Sequence, residues 1–401
     1  MLEPFLRPEQ NSFRLHRVTC HQILALRRVI EGATKFQTSA VVIFVDFKKA
    51  FDSVDRHSLG EVLATYRIHP RLVNGILALY EDTSATVLTS DGLTEEFSTS
   101  SGVLQGDTLA PFLFVLLLDW VLRVAIPNDD NGFLLARRVG RRVPEQRISV
   151  LGYADDLALI SSSAAGAQAM LNSLVTTARR VGLQLNAAKT EVLCVPGPQV
   201  DIYFEEEPLS ACTSFVYLGG RVPNCSDDLL RRKRLAWSAL GRLRVVFTST
   251  ALSDELRARL FSATVETVLL YNAVTWTMTH SLETELDAAH SHLLRAAFNV
   301  HWPDRVRNID LYRRAGLRPP SVKLREDRRC RAGDLIRTEA TCPQPLQKLL
   351  LWQPTERQRR GQGRRLTFPE LLFQECSAPD SAHPFACIFV RRLALDSKWK
   401  A

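Results

Sequence analysis

The run VVIFVDF, Val41 to Phe47, constrains this chain most. Its β-branched and aromatic residues are numerous enough for a central strand buried on both faces. Asp46 sits inside that run. A bare carboxylate at the end of a buried strand is costly unless something compensates it. It either caps the following turn through Lys48 or is held there for chemistry.

A second acidic group is Asp155-Asp156 in ISVLGYADDLALI, residues 148–160, where apolar arms flank an acidic turn. Adjacent acids in an exposed hairpin turn are common, and the pair alone proves little. Two convergent acid clusters are different, because their mutual repulsion demands cations. Carboxylate oxygens suit Mg²⁺, which keeps waters and shares substrate phosphates. Two such ions stabilise both the attacking and the leaving oxygen in phosphoryl transfer. The chemistry predicted is nucleotidyl transfer.

A chain of 401 residues calls for two or three packed units, and 46% apolar residues are ample for a core. The formal charge of +8 attracts polyanions, nucleic acid among them. The eight cysteines lie singly, with neither zinc spacing nor a disulfide framework. That predicts a reduced intracellular compartment, nucleus or cytoplasm, and no disulfide partner. Met1 to Gln10 does not read as a signal peptide. The longest apolar stretch, Leu109 to Ile126, contains Pro111, Asp119 and Arg123. It reads as a buried helix, and no membrane is expected as a partner.

Along the chain, helices are predicted at 22–31, 55–66, 71–80, 109–125 and 164–181, the last ending at Gly182. Residues 85–98 alternate around Asp91-Gly92, a hairpin signal. Residues 127–147 are polar and turn-rich and read as a surface insertion carrying Arg137, Arg138, Arg141 and Arg142. Short strands are predicted at 190–195, 200–204 and 214–222, then helices at 227–247, 253–270 and 281–298. This change sets a domain boundary near residue 225.

Residues 41–56 (VVIFVDFKKAFDSVDR), 101–123 (SGVLQGDTLAPFLFVLLLDWVLR) and 148–160 resemble three successive motifs of reverse transcriptases. The nearest likeness is to the polymerase of non-long-terminal-repeat (LINE-like) retrotransposons. GLQLNAAKTEV at 182–192, FVYLGG at 215–220, LLYNAVTW at 269–276 and DRVRNIDLYRRAGL at 304–317 extend it. The resemblance implies an α+β right-hand polymerase, with an antiparallel palm sheet backed by helices and a helical thumb. It divides the chain into partial fingers (1–40), palm (41–225), helical thumb or connection (226–340) and a basic, poorly ordered tail (341–401).

Carried over position by position, Asp46 and Asp155 become the main metal ligands, supported by Asp156 and the carbonyl of Phe47. The ions implied are two Mg²⁺, with Mn²⁺ as a substitute. Phe51 matches the steric gate that rejects a 2′-hydroxyl, and read by itself it is a core aromatic beside Phe47. Gln105 and Gly106, in SGVLQGD, match residues against the incoming nucleotide; without the resemblance this loop reads as a glycine-bearing helix start. Lys189 matches a lysine near the leaving pyrophosphate. Tyr153 is expected under the primer end, and Phe215, Leu218 and Gly219 in a primer-grip hairpin.

Arg14 and Arg17 lie in QNSFRLHRVT, which resembles a fingers segment contacting template or triphosphate. The thumb residues Arg231, Arg232, Lys233, Arg234, Arg242 and Arg244 suit a phosphate backbone, or equally a solvated helix face. ERQRRGQGRRLTF at 356–368 looks like the basic C-terminal segment of these elements. In RCRAGD, Arg331 and Asp334 stand where the family has a tryptophan and a histidine. About 45 residues precede Asp46, which implies N-terminally truncated fingers. The activity implied is RNA-directed DNA polymerisation with RNA template, DNA primer and dNTPs as partners. The alternative is a non-catalytic nucleic-acid-binding remnant.

Overall fold

The computed structural model describes residues 5–90, 92–137, 145–301, 303–337, 344–350, 352 and 366–377. At its centre runs the strand Ala40–Val45, with all six residues buried. Alternate side chains point to opposite faces of a strand. Accordingly Val41, Ile43 and Val45 enter one apolar core, while Ala40, Val42 and Phe44 enter another. Two cores explain why the run shows no polar alternation.

Across the sheet the order is Ser210–Cys212, Glu191–Val195, Ala40–Val45, Asp156–Ser161, Val150–Tyr153. Neighbours are antiparallel except for the outermost Ser210–Cys212, which runs parallel to Glu191–Val195. The expected antiparallel palm thus carries one parallel edge pair.

Helices Arg56–Thr65, Ala110–Ala125 and Ala164–Arg179 cover the first face. Asp119, buried inside the apolar Ala110–Ala125 helix, accepts bonds from Arg123 Nε at 2.6 Å and from the hydroxyl of Tyr66. The charge is therefore satisfied within the protein. Among the described residues no helix is long and apolar enough to cross a membrane.

The other face is covered by the helix Thr19–Phe36, longer at both ends than the predicted 22–31. Against it pack two helices from the span expected to be a poorly ordered tail. Leu346, Leu349 and Leu350 of Gln344–Leu350, with Phe368 and Leu372 of Phe368–Ser377, are buried in the same core. Apolar spacing within these short pieces outweighs the basic composition between them, whose residues 353–365 lie outside the described residues.

A second expectation also fails. Within the supposed insertion 127–147, Phe133–Ala136 pairs with Gln146–Ile148, and Phe133, Leu135 and Ile148 are buried. FLLA is a short apolar run whose burial alternates, and its four residues are flanked by polar ones. Arg137 is exposed, and Arg138, Arg141 and Arg142 lie outside the described residues. In the predicted 85–98 hairpin the structure has two short ribbons, Ser84–Ala85 with Phe97–Ser98 and Leu88–Thr89 with Gly92–Leu93. Asp91 itself is not described.

From Cys225 onward the described elements are helical, and those from Cys225–Arg242 to Asn308–Ala315 share a third core that begins at Leu229. The predicted 253–270 helix is interrupted by a π-helical turn at Ser262–Glu266. That turn carries the buried Glu266, which faces His290 Nε2 at 3.3 Å and Lys323 Nζ at 3.1 Å.

One buried carboxylate joins these parts. Asp228, fully enclosed, accepts from Arg27 Nη2, Trp276 Nε1 and the Arg221 amide, each at 2.9 Å. Removing one partner of a buried charged network strands the others. Asp228→Ala is expected to cost about 3–5 kcal/mol. The check is the midpoint of urea unfolding at unchanged m-value.

Candidate active site

Asp46 leaves the end of the central strand and is fixed by the segment before Glu191. The Asn186 amide donates to Asp46 O at 2.8 Å, and Asn186 Nδ2 to Asp46 Oδ2 at 2.9 Å. The Asp46 amide donates to the buried Thr190 hydroxyl at 3.3 Å. Phe47 is buried and its backbone bridges to Leu185.

The strand Val150–Tyr153 returns as Asp156–Ser161, with Tyr153 opposite Asp156. The turn between them is therefore Ala154-Asp155, and Asp156 opens the second strand. Being the neighbour of Ala40–Val45, this strand brings its acids to the end of the sheet where Asp46 lies. Burial and then Asp46 raise the Asp155 carboxyl above its usual range. Burial, then Asp155 and Asp46, push Asp156 up to about 6. Asp46 thus bears on both acids of the turn.

An open cavity of about 300 Å³ is lined by Asp46, Asp156, Lys189 and Glu191, with Phe215 and Tyr217 on its wall. Phe215 stacks on Phe44 with ring centroids 4.0 Å apart. Lys189 is exposed there. Among the described residues no three His, Cys, Asp or Glu side chains form a ready-made metal cage. Mg²⁺ seldom needs one, since one or two carboxylates with waters and substrate phosphates complete its shell. The donor chemistry fits a hard divalent cation.

Phe51 is half-buried and stacks on Phe114 at 4.3 Å between centroids. The SGVLQGD loop packs directly on the turn that follows Phe51. Gly102 N donates to Val54 O at 2.8 Å, Val103 N to Phe51 O at 2.9 Å, and Gln105 Nε2 to Asp52 Oδ1 at 3.0 Å. Gly106 adopts φ +94° with open space where a Cβ would point.

On the far side, Phe215–Tyr217 and Gly220–Val222 form a hairpin whose turn, Leu218-Gly219, has φ of +46° and +77°. The thumb helix Cys225–Arg242 grips this turn. Arg231 Nη1 donates to Gly219 O at 2.9 Å, Arg232 donates to the same oxygen, and Tyr271 Oη donates to Leu218 O at 3.1 Å. Arg232 is buried, with its guanidinium 4.3 Å over the Tyr271 ring. Arg231 and Arg232, expected on a phosphate backbone, are thus occupied by the hairpin. Lys233 pairs with Glu285 at 2.9 Å, while Arg234, Arg242 and Arg244 are exposed. Tyr153 lies near Tyr271, and burial and then that neighbour raise its pKa.

The fingers-like segment behaves differently from expectation. Arg14 Nη1 caps the carbonyls of Arg7 at 2.7 Å and Gln10 at 2.8 Å. Arg17 is half-buried; burial, then Arg17 and Arg331, lower His21 to about 4. Gln10, Asn186 and Asp228 were not singled out from sequence, because the groups that give them meaning lie far along the chain.

A mostly antiparallel sheet, helix-backed on both faces and acidic at one end, is the palm of a polymerase. The reverse transcriptase (RNA-dependent DNA polymerase) family matches residues 1–222, more than half of the chain, and the chain belongs to that family. Among curated proteins it is similar to a retrovirus-related Pol polyprotein from type-2 retrotransposable element R2DM of Drosophila melanogaster. The identity is 29% over 223 residues, 54% of this chain and 19% of that protein. A Pol polyprotein from type-1 retrotransposable element R2 of Nasonia vitripennis is 29% identical over 190 residues, 47% of this chain and 18% of that one. These relatives bear out the retrotransposon resemblance of the motifs. The chain spans about a fifth of their length. A solved apo telomerase from Candida tropicalis aligns over 82% of this chain and 52% of its own, at 12% identity and TM-score 0.40. The fold rests on the sheet itself.

Gly102 adopts φ +85°, and a Cβ there would lie 2.8 Å from both Cα and O of Asp52. Gly102→Ala therefore strains the backbone and pushes on the turn below Phe51. A loss of at least about 1 kcal/mol is expected, measured by thermal unfolding.

Proposed function

We propose that this chain is an RNA-directed DNA polymerase domain that extends a 3′-hydroxyl primer with dNTPs on an RNA template. The observation that carries this reading is the placement of Asp46, Asp155 and Asp156 at one end of the sheet, beside a cavity that Lys189 also lines. Acids held together against repulsion are a cation site in waiting.

Asp46, Asp155 and Asp156, with the Phe47 carbonyl, would hold two Mg²⁺, or Mn²⁺ in their place. Divalent ions bound there supply stabilisation of the attacking and leaving oxygens. The protein's own share is orientation. Phe51, wedged against Phe114, resists displacement by a 2′-hydroxyl and selects deoxynucleotides. Gln105, tied to Asp52, fixes the floor of the nucleotide pocket, with Gly106 allowing close backbone approach. Lys189 offsets charge developing on the leaving group.

Tyr153 and the hairpin of Phe215, Leu218 and Gly219 seat the primer end. Lys233, Arg234, Arg242 and Arg244 serve the phosphate backbone. In this reading residues 41–225 act as palm and 226–340 as thumb or connection, with residues 1–40 as partial fingers. The separate apolar core beginning at Leu229 supports that division.

Asp155→Asn is expected to abolish primer extension with Mg²⁺ while leaving the circular dichroism spectrum intact. Equal extension by both proteins would sink the reading, and binding without extension by wild type would favour a non-catalytic remnant. Phe51→Ala should raise ribonucleotide incorporation relative to dNTP by at least about tenfold, or roughly 1.4 kcal/mol of discrimination, in single-nucleotide extension assays.

A further inference from the structure

Gln10 is fully buried, and its side chain bonds to Ala154 of the acidic turn and to Ser12 of its own loop. Its Oε1 accepts from the Ala154 amide at 3.0 Å, and its Nε2 donates to the Ala154 carbonyl at 3.2 Å. One side chain thus supplies both ladder bonds that a neighbouring strand would give this residue. The same Oε1 also accepts from the amide and hydroxyl of Ser12, each at 3.1 Å, which fixes the rotamer.

The surrounding backbone reinforces this clamp. Gln10 bridges in parallel to Gly152; Asn11 N donates to Gly152 O at 3.0 Å, and Gly152 N to Glu9 O at 3.1 Å. Gln22 Nε2, from the helix Thr19–Phe36, reaches Gly152 O at 2.9 Å and Glu9 O at 2.7 Å.

Ala154 is the residue that needs such support. It holds φ +53° without being glycine, and it immediately precedes Asp155. Strained backbone persists only where its surroundings over-determine it. Asp155 follows directly and Asp156 opens the next strand, so a change of backbone at Ala154 would move both carboxylates relative to Asp46 at the same end of the sheet. We propose that Gln10 is a positioning residue which holds Asp155 and Asp156 at the divalent-cation site and thereby sets its affinity. This rests on the carboxylate reading above.

The full chain is titrated with Mn²⁺ and free ion is followed by electron paramagnetic resonance, for wild type, Asp155→Asn and Gln10→Met. Gln10→Met keeps the side-chain volume but removes both bonds to Ala154. A loss of about tenfold in Mn²⁺ affinity is expected, as for other groups that orient metal ligands, with a folded circular dichroism spectrum. A purely structural role would lower Tm and leave the affinity of the folded protein unchanged, which overturns the proposal. Gln10→Glu, of the same size, decides the matter if the methionine variant fails to fold. It keeps the oxygen that faces the Ala154 amide and should lose affinity to a smaller degree; wild-type affinity would overturn the proposal. Wild-type protein whose Mn²⁺ binding is absent, or is unaffected by Asp155→Asn, overturns the carboxylate reading and the role of Gln10 with it. That outcome is visible before any Gln10 variant is compared.

Discussion

The buried carboxylate of Asp228 is the constraint on which the arrangement of the parts depends. It lies near the start of the helix Cys225–Arg242, yet its partners come from three other places. They are Arg27 on the helix behind the sheet, the backbone of Arg221 in the hairpin, and the indole of Trp276 in the helical region. A lone buried charge would be prohibitive. With three donors supplied, the same charge becomes a condition that all three segments must meet together. The hairpin turn at Leu218-Gly219 is in turn held by Arg231 of that helix and by Tyr271 further along the chain.

The acidic end of the sheet obeys a related logic with the opposite sign. There the charges are alike, and folding must work against their repulsion. Each acid is therefore anchored through its own segment's backbone. Asp46 is held by Asn186 and Thr190, and the Ala154-Asp155 turn by Gln10. Burial first, and then the repulsion of Asp155 and Asp46, push the Asp156 carboxyl so held up to about 6. A floppy turn would simply relax.

Much of this was legible in the sequence because it is local. The strand at Val41 to Val45, the Ala110–Ala125 helix and the acidic hairpin are each written in a short stretch of side-chain pattern. Phe51, Gln105 and Lys189 were found through motif order, and the structure does bring Phe51 and the Gln105 loop together through Asp52. What escaped depends on distant pairing. Gln10 meets Ala154 across 144 residues, and Arg27 meets Asp228 across 201. No window of sequence holds both members of such a pair. The strand Phe133–Ala136 escaped for another reason: its apolar run is only four residues long inside a polar stretch, and a run that short does not by itself specify a strand.

The same distinction bears on the positive charge. A formal +8 reads as a surface for polyanions, but many of the arginines are structural. Arg28 caps Leu349 O at 3.0 Å, and Arg257 caps Phe247 O at 2.9 Å and Ser249 O at 3.0 Å. Arg328 pairs with Glu375 at 3.0 Å. Five planar donors make arginine the natural cap for several carbonyls at once. Each guanidinium so occupied is withdrawn from any phosphate, and counterion release follows only from charges that reach the polyanion, at about 0.9 per phosphate neutralised. On the helix Cys225–Arg242 and just past it, the cations exposed enough to do so are Arg234, Arg242 and Arg244, with Lys233 shared with Glu285. The polyanion-facing charge is thus a matter of which arginines the fold leaves at the surface, which net composition does not report.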